Sequence, residues 1–422
     1  MTDSNNNSIE SCMDSIDSSI SADDALQMIL TRVRPVEGVE AVPLRNALGR
    51  VLARPVTSPI NVPAYRNSAM DGYALRGEDI PADGTQRLKV VGSAFAGQPY
   101  QGALKRGECI RIMTGAKVPE AADTVIMQEW VERDGDDAII DDRTKPGANV
   151  RQAGEDIQAD AVILDNGDEI GPAQLGLLAS LGIPEVAVRR RVRVAFFSSG
   201  DEIRSIGQPL EEGQIYDSNR YTLFGMLTEL GADLIDMGVI PDRADAIREA
   251  VQQAARTADL VLTSGGISVG EADFIADTIR QLGEIHFAKV AIKPGRPLTF
   301  AHMGDACFFG LPGNPVAVMI TFLQFARPAI QRLQGRREQP ELRLRVRAGS
   351  ALRKLPGRTE FQRGLLSLDE RGELVVNSWG RQGSGVLSSM SSGNCLIRLP
   401  EESSNIQPGE LVEVLPFDLL RH

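Results

Sequence analysis

Three short stretches carry residue types that suit anion chemistry. TSGGISVGEADF (263–274) follows an apolar run and holds three glycines, with Glu271 and Asp273 two positions apart. SSGDE (198–202) and GLPGNP (310–315) end two further apolar runs. Glycine opens backbone conformations closed to other residues, so several amide N–H groups can converge on one oxyanion. A helix N-terminus behind such a loop adds partial positive charge. The loops therefore offer Ser264, Gly265, Gly266, Ser268, Gly313 and Asn314 as contacts to a phosphate or nucleotide, with plain turn geometry as the competing reading.

Glu202, Asp242 and Asp273 stand at or just past the same loops. Carboxylate oxygens suit Mg²⁺, which keeps several waters and shares phosphate oxygens with its ligand. Helix capping accounts for the same acids, above all for Asp242, which follows Pro241. In FAKVAIKPGRP (287–297), Lys289 and Lys293 are four apart and share a face in strand or helix alike. Arg296 follows across a Pro-Gly turn. The pair reads as an oxyanion clamp or as the solvated face of one apolar strand. Asp71 in a small polar loop (66–73), Thr114 at the end of GECIRIMTG (107–115), and Arg363 and Ser384 in Gly-bordered turns read, each alone, as structural.

The elements that must position these residues are legible as changes of hydrophobic period. Residues 192–335 alternate strands (192–197, 233–236, 259–262, 307–311) with helices (217–230, 241–257, 272–282, 316–333), which predicts βαβ units and a parallel sheet covered on both sides. Ligands in such sheets sit at the carboxyl ends of the strands. The helix at 241–257 presents Ile247, Ala250, Val251 and Ala254 on one face. Before this block, short β runs at 88–91, 109–113 and 124–127 predict a β-rich domain; after it, runs at 342–346, 373–376 and 411–415 predict a small barrel or sandwich. The expected domains are a disordered acidic tail (1–20), a discontinuous mixed α/β domain (21–65 with 147–190), an inserted β-rich domain (66–146), a doubly wound α/β domain (191–336) and a C-terminal β domain (337–422).

Composition narrows the classes. At 422 residues several domains are expected. The formal net charge is −12, and half of it comes from six acids in residues 1–24 with no Lys or Arg among them. Net acidity argues against nucleic acid as a partner and requires any anionic ligand to be drawn by a local basic cluster. No run approaches the ~20 apolar residues of a membrane span, and the start lacks the pattern of a signal peptide. Four scattered cysteines and three histidines give no structural zinc set. A reduced, cytoplasmic protein is the expectation.

Taken together, NSAMDGYA (67–74), RIMTGA (111–116), GEDI (154–157), SSGDEI (198–203), GQIYDSNR (213–220), SGGISVGEAD (264–273), KVAIKPGRP (289–297), GLPGNP (310–315) and FQRG (361–364) resemble the molybdopterin molybdenumtransferases, the MoeA family and the gephyrin E domain. SGGxS and PGNP alone would fit MogA and CinA proteins too; NSAMDGYA and the C-terminal β domain single out the MoeA branch. The resemblance implies a MogA-like central domain, a four-domain subunit and a homodimer. It implies transfer of molybdenum from molybdate to adenylylated molybdopterin, with Mg²⁺ and release of AMP. Under it, Glu202, Asp242 and Asp273 match acids at the nucleotide and Mg²⁺; Lys289, Lys293, Arg363 and Ser384 match residues around the pterin phosphate and molybdate. Asp71, Thr114 and Asp156 match polar residues supplied by other domains. Ser199 stands where the family often has Thr, and Arg296 where Lys is frequent, which keeps the charge but changes the donor geometry. A MogA-type adenylyltransferase and acceptor molybdoenzymes are the implied partners. A non-catalytic pterin-binding scaffold and a molybdopterin adenylyltransferase are the alternatives.

Overall fold

The computed structural model describes residues 19–265 and 274–417. At its centre is a six-stranded sheet of β1 (Arg193–Ser199), β2 (Asp233–Ile240), β3 (Leu260–Ser264), β4 (Glu284–Lys289), β5 (Pro297–Met303) and β6 (Ala306–Leu311), in the order β2-β1-β3-β6-β5-β4. The first four of that order run parallel, as the alternating pattern predicts. β5 pairs antiparallel with β6, and β4 pairs antiparallel with β5, so β5 alone runs against the rest. The cause is local: Gly304 and Asp305 alone separate β5 from β6, far too short for a crossover helix.

Helices cover both faces. Ser218–Glu229 and Pro315–Thr321 pack Leu223 and Val316 with Phe196, Leu262 and Phe309 on one side. Ala244–Thr257 and Phe274–Leu282 pack Ile247 and Ile279 with Phe197 and Phe308 on the other. Ile247, Ala250, Val251 and Ala254 are the buried face of their helix; full burial of Ile247 and Val251 contributes about 1.5–3 kcal/mol each. The single helix expected over 316–333 is interrupted by a π-helical stretch, Phe322–Ala326. It lies just before Pro328, which has no N–H to continue the ladder.

Helix Ala22–Arg32 is capped by Ser21 and packs Ala25 and Ile29 into the α/β core. Val39–Pro43 pairs with Glu185–Arg189, and Val56–Thr57 with Val162–Leu164, around a cluster of Leu52, Leu164, Leu178 and Val188. Between these segments lies a second six-stranded sheet containing Gly72–Leu75, Glu108–Ile112 and Thr124–Met127.

The C-terminal region is a closed five-stranded barrel. β7 (Leu344–Ala348), β8 (Thr359–Leu368), β9 (Leu374–Ser378), β10 (Cys395–Leu399) and β11 (Leu411–Pro416) follow the order β8-β9-β7-β11-β10, and β10 returns to β8. Val346, Val376, Ile397 and Val414 fill its interior. β8 and β10 have no counterpart among the strands read from the sequence.

Candidate functional site

Side chains at the carboxyl edge of the central sheet knit three loops together. Asn219, at the start of its helix, donates from Nδ2 to Ser264 Oγ (2.8 Å) and to the Gly313 carbonyl (2.7 Å). Ser198 Oγ donates to Asp217 Oδ1 at 3.0 Å, and the same oxygen caps the helix by accepting from Arg220 N. Gly265 has φ +86°, and a Cβ there would lie 2.7 Å from the Ser199 carbonyl oxygen. Only glycine lets these strand ends close. Gly313 abuts Gly265 Cα. Ser264, Gly265 and Gly313 therefore lie together; Gly266, Ser268 and Asp273 lie outside the described residues. Ser199 Oγ, Thr263 Oγ1, Asp217 Oδ2 and Asn219 Oδ1 are buried here without hydrogen-bond partners. Buried polar atoms of this kind are costly unless a ligand or water satisfies them.

Glu202 folds its carboxylate into the space a Cβ on Gly200 would fill. Asp242 is half-buried, and its carboxyl is pushed above the usual range by burial and then by the charges of Asp201 and Glu202. Neither acid has an ion-pair partner among the described residues. The capping reading of Asp242 fails: the helix begins at Ala244 with Arg243 at the N-cap position and no side-chain cap. An Arg243 N–H bond to the Pro241 carbonyl turns the chain first. SSGDE likewise leads into the two-residue strand Ile203–Arg204 and not into a helix. Hard oxygen donors held together against their mutual repulsion fit a small dication. Among the described residues, no group of three or more His, Cys, Asp or Glu gathers as a metal site.

A cleft of about 380 Å³ lies where the α/β domain meets the barrel. Lys293, Arg296, Asn314, Arg363 and Ser384 all line it, although they come from four separate segments. Arg358, Glu360 and Gln382 line it too and escaped the sequence reading. Lys289 does not. It ends β4 opposite Pro297, whereas Lys293 lies on the two-residue strand Ile292–Lys293, which leaves the sheet and pairs with β8. The two lysines therefore do not share a strand face, because the chain turns between them, with Val290 N bonded to the Arg296 carbonyl at 2.9 Å. Gly295 packs that turn closely, since a Cβ would lie 2.6 Å from Thr321 Cγ2.

Arg363 sits within β8 and not in a turn, and is 1% exposed. Its Nε donates to Ser389 Oγ (3.0 Å) and its terminal nitrogen to the Gly383 carbonyl (3.1 Å). Burial holds its pKa below the ordinary arginine value, opposed by the charge of Glu360. The Val316 N–H bonds the Ser384 carbonyl at 3.1 Å, which fastens the barrel loop to the helix behind Gly313 and Asn314. Four cations and a hydroxyl thus converge with one carboxylate. That set suits a tetrahedral or phosphate-like anion.

Asp71 and Thr114 meet in the N-terminal β-rich region. Asp71 Oδ1 accepts from Thr114 N (2.8 Å) and Oγ1 (2.7 Å), and these bonds, the backbone one first, hold its carboxyl below the usual range. Asp156 is exposed in a turn whose N–H bonds the Val62 carbonyl. Among the described residues, no hydrogen bond or ion pair joins Asp71, Thr114 or Asp156 to the cleft. Asp217 and Asn219 were also missed as site residues, although GQIYDSNR places them two apart at a helix start.

Comparison with known proteins places this geometry. Three family models match in order: the MoeA N-terminal region, domains I and II, over residues 20–182; a probable molybdopterin binding domain over 195–332; and the MoeA C-terminal region, domain IV, over 345–417. A Haemophilus influenzae protein named molybdopterin molybdenumtransferase is 42% identical over 95% of this chain and 99% of its own length. A Nostoc protein of the same name is 37% identical over 91% and 90%. The crystal structure of a molybdopterin biosynthesis MoeA protein from Pyrococcus horikoshii superposes with a TM-score of 0.82 at 30% identity, covering 94% of this chain and 99% of that one. Matched in all three regions and along nearly the whole length of such relatives, the chain belongs to the MoeA family.

Proposed function

We propose that this chain is a molybdenum insertase: it transfers molybdenum from molybdate to adenylylated molybdopterin and releases AMP in a Mg²⁺-dependent reaction. The observation that carries the reading is the cleft where Lys293, Arg296 and Asn314 of the α/β domain face Arg363 and Ser384 of the barrel. Molybdate and the pterin phosphate are both anions, and an acidic protein has to bind them through such a local cluster. Lys293, Arg363 and Ser384 hold and orient the oxyanion. The glycine-lined edge at Ser264, Gly265 and Gly313 receives the nucleotide end of the pterin substrate. Holding the two reactants side by side replaces a bimolecular encounter by a local step.

Glu202 and Asp242, with Asp273, are the residues that would hold Mg²⁺, and the mutual repulsion of Glu202 and Asp242 supports a cation there. A bound magnesium ion would offset charge growing on the phosphate as the adenylate leaves. The family resemblance supports a role for Asp71, Thr114 and Asp156 at the same reaction, and a homodimer that brings their region to the cleft. Exposed Ile206, Ile215, Tyr216 and Phe224 on the α/β domain support a second copy as the covering partner. The proposed setting is the cytoplasm, with a MogA-type adenylyltransferase as supplier and molybdoenzymes as acceptors; no helix among the described residues is long and apolar enough to cross a membrane. The test is Asp273→Asn: it is expected to bind adenylylated molybdopterin yet release AMP about 10²-fold more slowly, the scale of one lost electrostatic contact in a transition state. AMP release at the normal rate would refute the metal role.

A further inference from the structure

One carboxylate in the cleft is out of keeping with an anion site. Glu360 is 5% exposed and lines the same cavity as Lys293, Arg296, Arg358 and Arg363. Its backbone is in register with Lys293, where strand Ile292–Lys293 pairs with β8. Its Oε1 lies 3.2 Å from Lys293 Nζ and accepts from Gln362 Nε2 at 3.0 Å. Gln362 is held in turn by the Arg353 carbonyl at 2.8 Å. The acid is thus fixed from below, and its oxygen faces the ammonium that an incoming anion must engage. Its negative charge also opposes the effect of burial on Arg363. A buried carboxylate is expensive unless paired, so its place among four cations is a built feature.

We propose that Glu360 is an internal counter-anion that limits how tightly the cleft holds oxyanions, by occupying Lys293 when the cleft is empty and repelling the ligand when it is full. The inference rests on the reading of the cleft as a molybdate site. A cleft of four uncompensated cations would trap any tetrahedral dianion; one fixed negative charge keeps the grip reversible, so the oxyanion can move on to the acceptor. The pair Lys293–Glu360 is half-exposed on the lysine side, so solvent screens part of the effect.

The experiment is calorimetric titration of the full chain with sodium molybdate and, separately, sodium sulfate. Glu360→Gln keeps the shape and the acceptor for Gln362 and removes the charge. It is expected to bind both anions about tenfold more tightly, the scale for removing one partly screened like charge. Glu360→Asp keeps the charge and is expected to stay within about twofold of wild type. A residue with a merely structural role weakens binding when replaced; unchanged or weaker binding by Glu360→Gln, in a protein whose molybdate binding Lys293→Met abolishes, overturns the proposal alone. Wild-type protein that takes up no molybdate overturns it together with the reading on which it rests.

Discussion

Asp71 Oδ1 accepts two hydrogen bonds from Thr114, one from the backbone N–H at 2.8 Å and one from the hydroxyl at 2.7 Å, across 43 positions of sequence. Both bonds favour the ionised carboxylate, so its folded-state pKa lies below the unfolded value. The stability this contributes is present above the unfolded pKa and is lost as pH falls through the folded one. Thr114→Val keeps the backbone bond and removes the other. The Asp71 pKa, read by carboxyl NMR titration, is expected to rise part of the way to its ordinary value; no change would show that the hydroxyl does not hold the acid.

Asp242 has the opposite sign. Burial, Asp201 and Glu202 raise its pKa. Its favourable contribution is therefore complete only below the unfolded pKa and disappears as pH rises through the folded value. At neutral pH the ionised cluster is a cost. Asp242→Asn is expected to melt above wild type at pH 7 without metal. Magnesium at about 100 times its Kd is expected to stabilise wild type by about 2.7 kcal/mol and the variant by much less. Equal responses in a thermal-shift series would remove Asp242 from the metal site.

Asn219 joins the last residue of β3 to the loop after β6 through two hydrogen bonds from one amide. Asn219→Ala is expected to cost about 2 kcal/mol in urea unfolding, the scale for buried polar groups left without a partner. Substrate KM is expected to rise with it, because Ser264 and Gly313 lose their common tie. A variant with normal stability and normal KM would show that the loops are held otherwise.

His286 and His302 share a hydrogen bond of 2.7 Å, and His302 Nε2 lies 3.5 Å from Cys307 Sγ. Burial and then the neighbouring His302 push His286 down to about 4, and burial lowers His302 as well. Groups with depressed folded pKa values contribute stability above the unfolded pKa and lose it as pH falls through the folded one. Thermal stability is expected to drop between about pH 6.5 and 4, and His286→Gln is expected to flatten that slope. An unchanged slope would contradict a neutral pair.

Much of this was legible in the sequence where local pattern and tertiary role coincide. The amphipathic helix read at 241–257 and the strands read at 192–197 and 259–262 lie within three positions of the observed elements, and the glycines at 265 and 313 close the loops. Arg363 did not, because the Gly364 beside it suggests a turn, while the pairing that makes β8 a strand comes from β9 and β10, which follow it in the chain. Lys289 and Lys293 were misplaced for a related reason: a spacing of four is neutral between one strand and two, and the barrel decides. Arg358 and Glu360 carry no motif of their own. Only the meeting of the barrel with the loop at 292–297 gives them a cleft to line.

The most direct test is turnover by the purified full chain supplied with adenylylated molybdopterin, molybdate and magnesium chloride, following AMP and molybdenum-loaded pterin together. Wild-type protein is expected to form the two in equal amounts, and Lys293→Met about 10²-fold more slowly. A wild-type protein that forms neither product, or a Lys293→Met variant as fast as wild type, would contradict the account.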